Sequence, residues 1–199
     1  LIDSGNYHYL TKFWTDKIHQ PFSLIVFDHH PDMQPPLFKE MISCGSWVED
    51  VIKTNPFLKK VIIIGPSEQL IKSVAPQYQN QVEFYSEQSL EQDTTWKKFS
   101  AEVISTPVYI SVDKDVLNPQ SAATNWDQGS FTLEELEQLL SIILKHEQTI
   151  GIDICGECPA TLNIFEEEKE AQLDSAANKE LLKFFLSTQS HAFQQAFKK

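Results

Sequence analysis

Arginine is missing from this chain: all sixteen of its basic residues are lysine. Recognition of carboxylates and phosphates commonly uses the guanidinium fork, and duplex nucleic acids need a positive face. Neither is supplied by a protein with 28 acidic residues, a net charge of −12 and a pI near 4.8. Nucleic acid is therefore excluded as a main ligand, and a neutral or cationic small molecule is favoured. Long apolar runs are also lacking. None approaches the roughly 18 residues of a membrane span, and no secretory leader opens the chain, which starts at Leu1. Cysteine is scarce and odd in number: Cys44, Cys155 and Cys158. That argues for a reducing compartment, and the expected location is cytoplasmic. One C-x-x-C spacing, Cys155 to Cys158, has no second pair to complete a zinc site and no clear helix start for a redox site. It reads as two thiols at a strand end.

What is present suffices for a core. The 199 residues are 41% hydrophobic and 11% aromatic, which suits a single domain over 1–199. Five short apolar runs read as buried strands: Ser23–Phe27, Lys60–Ile64, Val82–Tyr85, Val108–Val112 and Thr149–Ile154. They are nearly continuous rather than alternating, the pattern of parallel strands covered on both faces. Between them lie helical stretches. The clearest opens on a capping box, Thr132 to Glu135, followed by Leu133, Leu136, Leu140, Ile143 and Leu144. A last helix is expected over Ser175–Phe197, after a solvated acidic run Glu166–Glu170. The prediction is a three-layer α/β/α sandwich with a mainly parallel sheet. In such sheets ligands bind at the carboxyl ends of the strands.

Two of those ends carry acids. The first strand runs into Asp28-His29-His30-Pro31-Asp32, and the fourth into Asp113-Lys114-Asp115. Alternate side chains of an extended segment point the same way, so Asp28, His30 and Asp32 can converge while His29 points elsewhere. Four carboxylates in one cleft repel unless cations stand between them. Two divalent ions balance four aspartates, and oxygen donors with some imidazole suit Mn²⁺, Mg²⁺ or a similar ion.

These motifs resemble the ureohydrolases, the family of arginase, agmatinase and formimidoylglutamase. That family carries D-A-H-x-D after one strand and S-x-D-x-D-x-x-D-P after a later one. The counterparts here are Asp28–Asp32 and Ser111–Pro119, with Asn118 where the family has its fourth Asp. His8 stands at the place of an upstream metal-binding histidine. The resemblance implies the arginase/deacetylase-like fold, with a curtailed first β/α unit. It implies two Mn²⁺, one held by His8, Asp28, Asp32 and Asp113, the other by His30, Asp28, Asp113 and Asp115. It further implies hydrolysis of a C–N bond in a small guanidino or amidino compound by a metal-bridging hydroxide. Asp32 would pass the proton, and Glu157 would anchor a cationic group. Homo-oligomers would also fit the family.

The departures concern the substrate wall. Cys44 stands where the family has a histidine; it can be a weak substitute, a reactive thiol or a small buried residue. A Gly-Pro-rich loop is replaced by 123–129, in which Trp126 can stack on a planar cation and Asp127 can pair with it. Equally, Trp126 can cover the edge of the core. Trp47 follows the Cys44 segment and can edge the pocket, while Trp14 and Trp96 read as packing residues. Two other readings remain: an arginase-like metal-binding protein that has lost catalysis, and a DHH-type phosphoesterase. The second would need a further Asp motif upstream.

Overall fold

Valine, isoleucine and phenylalanine dominate the five runs, and each forms a strand. The structure, a computed structural model, describes residues 1–36, 38, 41–101, 104–159 and 164–196. The strands are β1 (Phe22–Phe27), β2 (Leu58–Ile64), β3 (Val82–Tyr85), β4 (Val108–Asp113) and β5 (Thr149–Cys155). All neighbours pair in parallel, in the order β3-β2-β1-β4-β5. Every residue of β1 and β4 is buried, which is why neither alternates in polarity.

Helices cover both faces. One core joins Ile25, Phe27, Ile110 and Val112 to Phe99 of α5 (Asp93–Ala101), Leu136 and Leu140 of α6 (Leu133–His146), and Leu181 of α7 (Ile164–Ala196). The other joins Leu24, Val26 and Ile63 to Trp47, Val48 and Val51 of α2 (Trp47–Thr54), with Val74 following α3 (Glu68–Ser73). The chain also forms α1 (Leu10–Thr15) and the single turn α4 (Glu87–Leu90).

The capping box forms as expected. Thr132 Oγ1 accepts from the Glu135 amide, and Glu135 Oε2 accepts from the Thr132 amide. The acidic run does not precede the last helix but lies within it, because α7 begins at Ile164. Phe197, its expected end, lies outside the described residues. Trp14 and Trp96 are more open than packing residues would be; Trp14 is 55% exposed. Among the described residues no helix is long and apolar enough to cross a membrane.

From β1 the chain steps outward to β2 and β3, then returns to place β4 on the other side of β1. The direction of winding reverses between β1 and β4. The crevice at their carboxyl ends is where such sheets bind ligands, and Asp28 and Asp113 stand there.

Candidate metal centre

Three chain segments meet at this crevice. The first is the N-terminal stretch, which runs beside β5: the Ile2 amide donates to the Ile154 carbonyl, and Ser4 bridges to Glu157. A short 3-10 turn, Gly5–Tyr7, then delivers His8 into the crevice. Asp28 to Asp32 leave β1 and supply the second segment. The third is β4, whose last residue is Asp113, followed by a turn in which the Asp113 carboxylate accepts from the Asp115 amide.

All six predicted ligands come together. His8 Nδ1 lies 3.2 Å from Asp28 Oδ2, 3.1 Å from Asp32 Oδ2 and 3.2 Å from Asp113 Oδ2. His30 Nδ1 lies 2.8 Å from Asp115 Oδ2 and 3.6 Å from Asp28 Oδ1. Asp28 thus presents one oxygen to each histidine. The convergence does not come from simple strand alternation, however. Asp32 adopts a left-handed backbone conformation (φ 51°), a strained choice that aspartate tolerates better than most residues.

A polar relay fixes the His8 ring. Ser111 Oγ donates to Asp153 Oδ1 (2.7 Å), and Tyr109 donates to Asp153 Oδ2 (2.8 Å). Having given its hydrogen to Asp153, Ser111 accepts from His8 Nε2 (2.8 Å). The neutral ring therefore carries its lone pair on Nδ1. That atom is buried, lacks a hydrogen-bond partner and faces three carboxylates. Only a proton or a cation makes the arrangement tolerable.

The electrostatics repeat the point. Burial lifts Asp32 to about 7, aided by Asp28. Asp115 is pushed far above the usual carboxylate range by burial, Asp113 and Asp28. Burial also works against charge on Asp28, but His30 and His8 outweigh it and hold Asp28 low. The two imidazoles resist burial in the same way. The hydrogen bond to Asp115 raises His30 to about 11, and the surrounding acidic groups raise His8. Two cations among these donors would remove the repulsion that drives the shifts. The donor set, four carboxylates and two imidazoles, fits a divalent pair.

Beside the ligands lies a pocket of about 150 Å³ lined by Pro31, Gln34, Cys44, Gly45, Leu70 and Trp126 together with the acids. Cys44 and Trp126 both line this pocket. Burial and Asp32 push the Cys44 thiol up. The Trp126 indole donates to Asn6 (3.1 Å), and its ring stands 6.0 Å from that of His30.

Two of the expected substrate-binding residues lie outside this lining. Glu157 does not reach the pocket. The residue ahead of it, Gly156, has φ 94°, and a Cβ there would fall 2.2 Å from Asp113 Oδ1. Past this turn the Glu157 carboxylate accepts from Asn178 (2.7 Å) and stands 3.8 Å from Lys114 Nζ, facing α7. Asp127 is exposed and outside the lining.

Three further residues support the centre. Trp47 is fully buried, and its indole donates to Asp32 Oδ2 at 2.6 Å. Ser111 was visible only as the first letter of its motif. Cys155, half of the C-x-x-C pair, places its thiol 3.1 Å from Asp113 Oδ2, whereas Cys158 is apart and both are free.

A model described as the arginase family matches residues 9–164. The chain belongs to the arginase family. It is 34% identical over 175 residues to an uncharacterised Thermotoga maritima protein, covering 87% of this chain and 63% of that one. The agmatine ureohydrolase of Thermoplasma volcanium superposes with a TM-score of 0.73 at 18% identity, covering 94% of this chain and 61% of that one. A hypothetical agmatinase from Burkholderia thailandensis gives 0.68 at 18% identity, covering 96% and 59%. The chain therefore shares the arginase-family fold while spanning about three fifths of the length of these relatives. Membership in the arginase family takes away the ground for a DHH-type phosphoesterase.

Proposed function

We propose that this arginase-family chain hydrolyses a non-peptide C–N bond of a small guanidino or amidino compound, with two divalent ions, manganese foremost, held by His8, Asp28, His30, Asp32, Asp113 and Asp115. The observation that carries the reading is the buried, unpartnered His8 Nδ1 facing carboxylates from two other segments of the chain. Asp28 and Asp113 would be shared between the ions, Asp28 because its two oxygens already face different histidines. When bound, such a pair would supply a water activated at neutral pH as the nucleophile for an sp² carbon.

The chain's own groups do the rest. Asp32 faces His8 and also lines the pocket, so its carboxylate is placed to hold a proton and pass it to a departing amine. Trp47 holds that carboxylate in position from behind. The ring of Trp126 offers a face to a planar cation, and the acid-rich lining favours a positive substrate.

Purified protein reloaded with Mn²⁺ should hold about two ions per chain by elemental analysis. Asp113→Ala should abolish that uptake. Release of urea or ammonia from a panel of guanidino and amidino compounds then tests turnover. Efficient hydrolysis of an anionic phosphoester instead would overturn the proposal.

A second reading, a metal-binding member without ureohydrolase turnover, draws on one observation: the Glu157 carboxylate is engaged by Asn178 of α7. Two bound ions with no turnover across the panel would select it.

A further inference from the structure

The centre contains a donor that the two aspartate motifs leave out. Cys155 is the last residue of β5 and pairs in register with Asp113, so the two side chains are neighbours across the parallel strands. Its buried Sγ lies 3.1 Å from Asp113 Oδ2, the same oxygen that stands 3.2 Å from His8 Nδ1. Ligand atoms of His8, Asp113 and Cys155 all lie within 4.8 Å of one another, and all three residues are buried. A cysteine alone would mean little. Here an independent feature points to the same space: His8 Nδ1, 1% exposed and without a hydrogen-bond partner, is aimed into it.

We propose that Cys155 is a metal ligand in this chain, its thiolate joining His8 and Asp113 on the cation at the His8 end of the centre. The inference rests on the metal-centre reading above and deepens it. It makes the two positions chemically unlike. The other end, formed by Asp28, His30 and Asp115, has only oxygen and nitrogen donors. Soft sulfur selects zinc, iron or cobalt, whereas an oxygen-rich position suits manganese or magnesium. On ligation the S–H proton leaves to solvent and the sulfur bonds the cation in its place, so the His8 end gains one negative charge.

Cobalt reports this directly. The full chain, stripped with chelator and reloaded with Co²⁺, should show visible d–d bands and a near-ultraviolet sulfur-to-cobalt charge-transfer band. Cys155→Ala should lose the near-ultraviolet band and keep the visible ones. Cys44→Ser, at the pocket wall, should keep both. X-ray absorption of the zinc-loaded wild-type chain should give a sulfur neighbour at about 2.3 Å, a readout independent of how any variant folds. Visible bands with no charge-transfer band, or zinc with only nitrogen and oxygen neighbours, would overturn the thiolate and leave the metal centre standing. A charge-transfer band that survives in Cys155→Ala would overturn it as well. No cobalt uptake at all would bring down both readings together.

Discussion

Substituting Asp174→Asn should cost more stability than the same loss of charge at an exposed aspartate. Asp174, on α7, is 2% exposed, and Oδ1 lies 3.2 Å from Nζ of Lys114, whose side chain is wholly buried. It also accepts from the amides of Ala123 and Cys158 at 3.2 Å each. At that separation the attraction between unit charges is about 5 kcal/mol for an effective dielectric near 20. Glu157, 3.8 Å from Nζ, compensates little because it is about one third exposed and screened. The asparagine keeps one acceptor oxygen, so one of the two amides loses its partner, and the ammonium is stranded. Loss of one partner from a buried pair typically costs about 3–5 kcal/mol. In a chain of this size that lowers Tm by about 2–4 °C per kcal/mol. Urea unfolding should show the cost as a fall in midpoint at unchanged slope. The double variant Lys114→Met with Asp174→Asn should recover the share due to the stranded ammonium, since it removes the uncompensated buried charge and leaves only the unpaired amide. A loss below about 1 kcal/mol in Asp174→Asn, or strict additivity in the double variant, would refute the claim that charge pairing clamps α7 to the Asp113-Lys114-Asp115 turn.

Two other outcomes are expected. Trp47→Phe keeps an aromatic ring in the core but removes the donor to Asp32. A hydrogen bond to a charged group is worth about 1.5–3 kcal/mol, so thermal unfolding should come earlier, with weaker Mn²⁺ binding by calorimetry; unchanged binding would detach Trp47 from the centre. Adding Mn²⁺ at a hundredfold over its Kd should stabilise the chelator-stripped protein by about 2.7 kcal/mol, read as a rise in Tm that EDTA reverses. A Tm indifferent to both would contradict the cage.

The readable parts of this molecule were those written in contiguous residues. Five apolar runs announced five strands, of which β1 and β4 are buried throughout and β2, β3 and β5 in part, and acids placed directly after two of them announced the crevice. Thr132 and Glu135 announced a helix start. Features that depend on pairing across the sheet were not readable. Cys155 meets Asp113 only because β5 and β4 pair in that register, and nothing in the C-x-x-C spacing encodes it. The direction of Glu157 was not readable either: Gly156 before it has a positive φ, and the Glu157 carboxylate meets Asn178 of α7. Trp47 gave no signal as a partner of Asp32 because a buried tryptophan in an amphipathic helix is ordinarily explained by packing alone. Trp126 and Asp127 are adjacent in the chain, yet only the first lines the pocket.

The reversal of winding between β1 and β4 has a consequence for how firmly the site is held. Asp28, His30, Asp32, Asp113 and Asp115 hang from two strands that are adjacent at the middle of the sheet, each protected by neighbours on either side. His8 alone arrives from a segment laid along β5, so this sixth side chain depends on the sheet edge while the other five hang from its middle.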